Sequence, residues 1–369
     1  MITVREVNEN DLPRLAEYLP TQQPFLQTRK DVWEHRFAMW WELNPAFTSR
    51  IPRGWILEKD SSLAGFIGNV PVKFFIGGEE RTAFAGVAWY VDPSVRGLSS
   101  IGLLARFLKQ DNASLFLFNT NNKQLMKILY KNKFTGYILP GFQTEYLSIL
   151  KKENVGFVTR EFRIIRRPLQ KIPARVLSLV RAYLHPDPVP DIGRESEYSI
   201  SVCSSCDDSF FRIWKPVTDR CDVTMSRDTA TLNWLYFSPV KRRQKIVLQC
   251  RKKQDNSLAG YLVFEIKRKE GAATGIMKLI DQCIEGNDQE VLRALLHFAT
   301  ETGKQTNLAV MELWADNPET EAYLRNTYIL ARESQNYTFI RFPEGYLHHS
   351  EPLKICPFMI APPQGIDHF

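Results

Sequence analysis

The sequence contains no run approaching the ~18 uncharged apolar residues that a membrane-spanning helix requires. Its opening stretch, MITVREVNENDLP, is charged from Arg5 onward and has no apolar signal core, so a cytoplasmic location is expected. Cysteine is scarce: six in 369 residues is too few for a disulfide framework. Cys203 and Cys206 form a lone CxxC with no second pair at zinc-like spacing, and Cys221 and Cys250 stand isolated. The six histidines supply no HxxxH, so no metal site is expected. A strong excess of either charge is also missing. Forty-eight basic residues against 41 acidic ones give +7, a mild bias toward nucleotide phosphates, nucleic acid or an anionic membrane that selects none of them.

What is present is apolar surface: 44% hydrophobic and 12% aromatic residues suffice for folded cores, and the length suits two domains. A repeat supports that division. Ser62-Leu63-Ala64-Gly65-Phe66 recurs as Ser257-Leu258-Ala259-Gly260-Tyr261, an offset of 257 − 62 = 195. Trp40 and Pro45 answer Trp234 and Pro239 at 239 − 45 = 194, and LYKNKF at 129–134 answers YLRNTY at 323–328 at 323 − 129 = 194. Three matches in order at nearly one offset indicate a duplicated unit.

Each half has the same outline. A hairpin turns on Asp and Ser (WILEKDSSLAGFIGNV; IVLQCRKKQDNSLAGYLVFEI). A strand follows (83–91; 275–284), then a helix (100–111; 288–302), a short strand (115–118; 308–314), a helix (121–131; 318–326) and closing strands. Interleaving of this kind predicts an α/β (α+β) fold, each sheet flanked by helices. Expected boundaries are an N-terminal domain at 1–167, a linker at 168–197 and a C-terminal domain at 198–369. The Pro-rich linker carries an amphipathic helix at 174–184. Seven basic residues between Arg160 and Arg181 against one acid, Glu161, would favour weak contact with an anionic membrane surface, or simply a solvated face.

One stretch points to chemistry. In VDPSVRGLSSIGLL a strand end hands over to a leucine-rich helix through Arg96, Gly97, Leu98, Ser99, Ser100, Ile101 and Gly102. A first helical turn offers unpaired N–H groups and the positive end of the dipole. Glycines let backbone amides approach a diphosphate closely, and arginine adds a fixed charge with a planar donor fork. In the second half Asp281, Glu285, Asp288 and Glu290 surround the corresponding place and would repel a diphosphate, so that half is expected to bind no cofactor.

The run GFIGNVPVKFFIGGEERTAFAGVAWYVDPSVRGLSSIGLLARFL resembles the centre of the GCN5-related N-acetyltransferase (GNAT) family, where a strand precedes a pyrophosphate loop of the type [QR]-x-x-G-x-[GA]. NTNNKQLMKILYKNKFTGY is similar to that family's Asn-rich entry to a helix ending in Tyr and Gly-Phe. SRDTATLNWLYF resembles an Arg-Asp…Leu-x-Trp segment of tandem bacterial members from cell-envelope pathways. The resemblance implies two tandem GNAT-like domains, each a mixed, mostly antiparallel sheet. It implies an acyltransferase using acetyl-CoA or another acyl-CoA, held at Tyr90, Val91, Arg96–Gly102 and Asn121. It implies Tyr130 as the acid that protonates the thiolate. The family's strand glutamate is missing, which leaves Asp92 as the nearest carboxylate. Here "LSS" separates Arg96-Gly97 from Ile101-Gly102, one residue more than the commonest form, and Lys133 replaces the usual Gly.

Trp40 and Trp89 are candidate walls for a small polar or amino-sugar acceptor held between the halves. Two other readings stay open. An aminoacyl-tRNA-dependent transferase of the tandem peptidoglycan-bridge type would use the positive charge but would need a longer basic arm, so nucleic acid is not the expected partner. A non-catalytic module with the same fold is the third.

Overall fold

Asp60 and Ser61, both with positive φ, make the tight turn expected between the first two long strands. They sit in a computed structural model that describes residues 1–22, 29–138, 144–151, 197–238, 244–268, 272, 274–328, 330–333, 337–343 and 353–356. The helix at 174–184 and the basic stretch at 160–181 lie outside the described residues.

In chain order the first elements are β1 (Ile2–Glu6), α1 (Leu12–Gln22), α2 (Lys30–Phe37), β2 (Gly54–Lys59), β3 (Ser62–Ile76) and β4 (Glu79–Val91). Then come α3 (Leu98–Phe107), β5 (Leu115–Thr120), α4 (Lys123–Lys131), β6 (Thr135–Tyr137) and β7 (Thr144–Ile149). The second half has β8 (Tyr198–Cys203), α5 (Asp208–Trp214), β9 (Val223–Met225), α6 (Thr229–Phe237), β10 (Gln244–Lys252) and β11 (Leu258–Lys267). It ends with β12 (Gly275–Ile284), α7 (Gln289–Gln305), β13 (Leu308–Leu313), α8 (Pro318–Thr327), β14 (Leu330–Glu333) and β15 (Tyr337–Arg341).

These elements build two mixed sheets, β1-β2-β3-β4-β5-β15-β6 with β9 on the edge of β3, and β14-β7-β13-β12-β11-β10-β8. Pairing is antiparallel except for β4 with β5 and β12 with β13. The sheets repeat one another strand for strand. α8 begins 318 − 123 = 195 residues after α4, and β14 begins 330 − 135 = 195 after β6.

The closing strands are exchanged. β15, the last strand in the chain, lies between β5 and β6, while β7, from the first half, lies between β13 and β14. The compact units therefore do not follow the chain. Unit 1 comprises Met1–Ile138, Thr218–Ser226 and Asn336–Phe369; unit 2 comprises Leu139–Val217 and Arg227–Gln335. Expected boundaries at 167 and 198 follow the order of the repeat, and hydrophobic pattern alone does not reveal a crossing strand.

In unit 1 one core lies under α3 and α4, built on Trp55, Phe84, Leu104, Phe107, Phe116 and Phe118. Around α2 and the π-helical turn after it, Trp33, Phe37, Trp40 and Trp41 pack ring on ring at 5.3–6.1 Å. The Trp41 indole donates to the Asn69 carbonyl on β3 at 2.9 Å. Cys221, expected to be isolated, is joined to Cys356 with Cα atoms 5.7 Å apart, a correction that a separation of 135 residues hides from local reading. The join secures a short zipper in which Val223 on β9 bridges Ile355. In unit 2, α7 covers β10–β13 through Leu292, Leu295, Leu296 and Ala299.

Unit 2 also buries charge. Glu145, on the exchanged β7, accepts from Lys278 at 3.0 Å and Arg332 at 2.5 Å, and Glu312 lies 3.4 Å from Lys278. Burial by itself would raise the pKa of Glu145, but the two cations outweigh it and hold the group below its ordinary 4.5. A lowered folded pKa adds stability that is full above 4.5 and disappears as pH falls through the folded value. Glu145→Gln is expected to cost about 1.5–3 kcal/mol at pH 7. Urea titrations at pH 7 and pH 3 check this, because the variant and the native chain should converge in acid.

Candidate functional site

The register of unit 1 creates an opening. β4 and β5 pair in parallel only at Ala83↔Leu115, Phe84↔Phe116 and Ala85↔Leu117, although β4 runs on to Val91 and β5 to Thr120. Gly86, the first residue of β4 past the pairing, has no Cβ because one would sit 2.2 Å from the Phe118 ring. Two residues on, Ala88 has φ +49°, which a non-glycine residue rarely adopts. The β3–β4 register passes from Phe66↔Tyr90 to Gly68↔Val87, so Ala88 and Trp89 together oppose Ile67. This bulge turns the end of β4 away from its neighbour.

The parted strand delivers the chain into the loop singled out above. Asp92 caps a 3-10 turn over Pro93–Val95 by accepting from the Ser94 N–H at 2.8 Å. That bond, more than any other cause, holds its pKa below the usual 3.8. The Arg96 Nε donates to the Val91 carbonyl at 2.8 Å, and its guanidinium lies 5.7 Å from the Tyr90 ring. No carboxylate among the described residues lies within ion-pair distance of Arg96. Gly97 has φ +103° and ψ −116° and precedes the first turn of α3. A Cβ at Gly97 or Gly102 would meet nothing within 4 Å, so the loop is open on that side. The N–H groups of Ser100 and Ile101 return to the Gly97 carbonyl, while those of Leu98 and Ser99 belong to the turn whose donors a helix cannot satisfy itself. Leu98 is 87% exposed beside them. Permanent charge, open glycines and a helix start converge here, which suits a diphosphate.

The other expected residues have the following surroundings. Tyr90 is half-buried, its ring 6.2 Å from that of Tyr18 on α1, whose hydroxyl is buried and has no partner. Trp89 is half-buried with its ring 5.8 Å from Phe118. Tyr130 on α4 is 52% exposed, lies edge-on to Phe339 at 5.2 Å and places its hydroxyl over Gly136. Asn121 is exposed, and Asn122 beside it caps α4 by accepting from Gln124 and Leu125. Trp40 is buried in the aromatic group around α2, and its indole N–H has no partner.

Unit 2 parts in the same place and then closes. β12 and β13 pair from Gly275↔Leu308 to Lys278↔Glu312 and no further. There the Trp314 indole donates to the Leu279 carbonyl at 2.9 Å, and Gln282 donates to the Trp314 carbonyl at 3.3 Å. Asp281, expected to repel a diphosphate in this half, is 3% exposed and faces inward. It accepts from Arg227 Nε at 3.0 Å, from Arg227 Nη2 at 2.6 Å and from the Tyr236 hydroxyl at 2.6 Å. Burial and then Asp281 raise the Tyr236 pKa well above 10. The Arg227-Asp228 pair of the sequence thus has a local role: Arg227 fills a buried ion pair and Asp228 caps α6 by accepting from Thr231 at 2.9 Å. Glu285 pairs with Lys252, and Asp288 caps α7.

Cys203 and Cys206 are thiols that burial pushes up, Cys203 to about 11, which leaves neither nucleophilic near neutrality. Among the described residues no three His, Cys, Asp or Glu side chains gather as a metal site, and no helix is long and apolar enough to cross a membrane.

No protein-family model and no curated protein matches the sequence. Solved structures do match in shape. A GCN5-related N-acetyltransferase from Anabaena variabilis aligns with a TM-score of 0.58 at 10% identity, over 93% of this chain and 73% of that one. Saccharomyces cerevisiae N-myristoyltransferase with bound myristoyl-CoA aligns at 0.56 and 11%, over 92% and 82%. A GCN5-related N-acetyltransferase from Kribbella flavida aligns at 0.52 and 8%, over 93% and 71%. The chain has the GCN5-related N-acetyltransferase fold.

Because the Gly97 conformation is open only to glycine, Gly97→Ala is expected to cost about 1–3 kcal/mol through backbone strain alone. Chemical denaturation measures this, and a neutral substitution would mean the loop relaxes freely.

Proposed function

We propose that unit 1 binds an acyl-coenzyme A thioester and transfers its acyl group to an amine or hydroxyl of a small polar or amino-sugar acceptor. The observation that carries this is the pairing of β4 with β5 for three residues only, with an arginine-glycine loop and a helix start at the end of the parted strand. The fold likeness supports the same reading, since one of the similar structures holds myristoyl-CoA.

In this reading Arg96, the N–H groups of Leu98 and Ser99, and Gly97 and Gly102 hold the diphosphate. The pantetheine arm lies along Tyr90 and Val91, where β4 has no strand on one side. Fixing the thioester there supplies proximity to the acceptor, and backbone N–H groups past Ala85 face the charge that develops on the carbonyl oxygen. Tyr130 donates a proton to the departing thiolate. The strand offers no glutamate, so Asp92 is the base, acting on the acceptor directly or through water. Held below its ordinary pKa by Ser94, it is ionised at neutral pH but only weakly basic. An acceptor that arrives already as a free amine suits such a base. Trp89 borders the acyl end.

Calorimetry with acetyl-CoA tests the reading. Micromolar binding is expected, with Arg96→Glu weakening it at least tenfold, roughly 1.4 kcal/mol. No binding to the native chain would overturn it, and steep salt-dependent binding of charged tRNA would favour the aminoacyl-tRNA reading instead. Tyr130→Phe is expected to lower kcat by about 10²-fold while leaving acetyl-CoA affinity unchanged.

A further inference from the structure

The net charge of +7 is not spread evenly over the chain. Between Arg96 and Lys133, the stretch that holds α3 and α4, stand seven basic residues and one acid, Asp111, so that 7 − 1 = +6. The matching stretch of unit 2 lies 291 − 96 = 195 residues on, from Val291 to Tyr328, and holds α8 and most of α7. It has three basic residues and five acids, or 3 − 5 = −2. One scaffold carries opposite charge in its two copies.

Both helices of unit 1 pack on one core, α3 through Leu103, Leu104 and Phe107 and α4 through Leu129, so their outer faces look to the same side. On that side Lys123, Lys127 and Lys131 stand four residues apart in a single exposed row along α4. Arg106 and Lys109 are exposed at the end of α3. Among the described residues none of these five cations has an ion pair. The helices of unit 2 neutralise their own charges instead, Lys304 on Glu301 and Arg325 on Glu321. Apolar side chains also stand out on α3: Leu98 and Ile101, one turn apart, are both exposed. Among the described residues α7 and α8 expose no large apolar side chain.

Whatever covers this face must be anionic and must also accept aliphatic side chains. A bilayer containing anionic lipid does both, since its headgroups attract lysines and the boundary beneath them takes leucine and isoleucine. A nucleic acid would meet the cations, but it binds through phosphate neutralisation and aromatic stacking and gives aliphatic groups little. An acidic protein is a poorer match, because protein interfaces favour arginine and shed lysine. Four of the five unpaired cations are lysines.

We propose that the outer face of α3 and α4 docks unit 1 on an anionic lipid bilayer, the five cations meeting the headgroups and Leu98 and Ile101 entering the boundary below. This surface is separate from the basic stretch at 160–181, and it stands whether or not unit 1 binds acyl-coenzyme A.

Sedimentation with vesicles tests the proposal. The native chain is expected to bind phosphatidylcholine vesicles carrying about 30% phosphatidylserine at least tenfold more tightly than vesicles of phosphatidylcholine alone. Lys127→Glu combined with Lys131→Glu should weaken binding to the anionic vesicles at least tenfold and leave the melting temperature unchanged. Lys304→Glu, on α7 of unit 2, should bind as the native chain does. Leu98→Ser should be stripped from the vesicles by salt at about 0.5 M, where the native chain keeps part of its binding. Equal binding to both kinds of vesicle, or none to either, would overturn the proposal. So would a double variant that binds like the native chain, because the attachment would then lie elsewhere. Transfer RNA that binds in place of the vesicles, and is lost in the same double variant, would give the face to nucleic acid instead. Equal stripping of the native chain and Leu98→Ser by salt would remove the apolar contact from it.

Discussion

Each sheet stops pairing its fourth and fifth strands after three or four residues, and the organisation of both units follows from that. Strand backbone carries a donor and an acceptor at every residue, and a sheet that opens partway leaves them to find other partners. Unit 2 answers with its own side chains, Trp314 and Gln282, and with the interior ion pair of Arg227 and Asp281. Unit 1 has Gly86, Ala88 and Asn119 at the matching places, and none of them spans the gap. The duplicated scaffold is thus used once as structure and once as an opening.

The loop after β4 gains its meaning from the same constraint. A helix start with an arginine and two glycines is common enough in α/β proteins as a plain corner. Here the corner stands where a strand has lost its neighbour. The Arg96 guanidinium is tied back to the Val91 carbonyl at the end of that strand, and the chain then turns through a conformation reserved for glycine. The arginine-glycine loop and the unpaired strand are successive parts of one path.

Much of this was legible in the sequence. The repeat at 194–195, the hairpin turns and the alternation of strands and helices located the central strands and helices of each half to within a few residues, because side-chain periodicity and turn chemistry are local. The boundaries at Leu98 and Lys123 fell two residues from expectation, as helix ends do. What local pattern could not carry was anything decided by distant partners. Asp281 reads with Glu285 and Asp288 as an acid that would repel a diphosphate, and only Arg227, 54 residues earlier, makes it an interior group. Cys221 reads as solitary until Cys356 lies beside it.

The exchanged strands pose the sharper question of why β7 and β15 do not each return to the sheet of their own half. The slot beside β13 is lined by Lys278, Glu312 and Arg332, and β7 brings Glu145 to complete the set. At the matching ladder positions beside β5 stand Ala85, Leu117 and Tyr137, and β15 brings Thr338, which is neutral. Placing Glu145 in the slot of unit 1 would bury a carboxylate with no cation, and placing Thr338 in unit 2 would leave Lys278 and Arg332 short of an anion. The first error costs several kcal/mol, since an uncompensated buried charge is far worse than a missing pair, and the second forfeits the pair that Glu145 makes while Glu312 remains beside both cations. The two strands share shape and apolar pattern, Tyr146 and Leu147 answering Phe339 and Ile340, so packing alone would not tell them apart. One carboxylate does, and the sheet that carries the opening is completed by a strand from the far end of the chain.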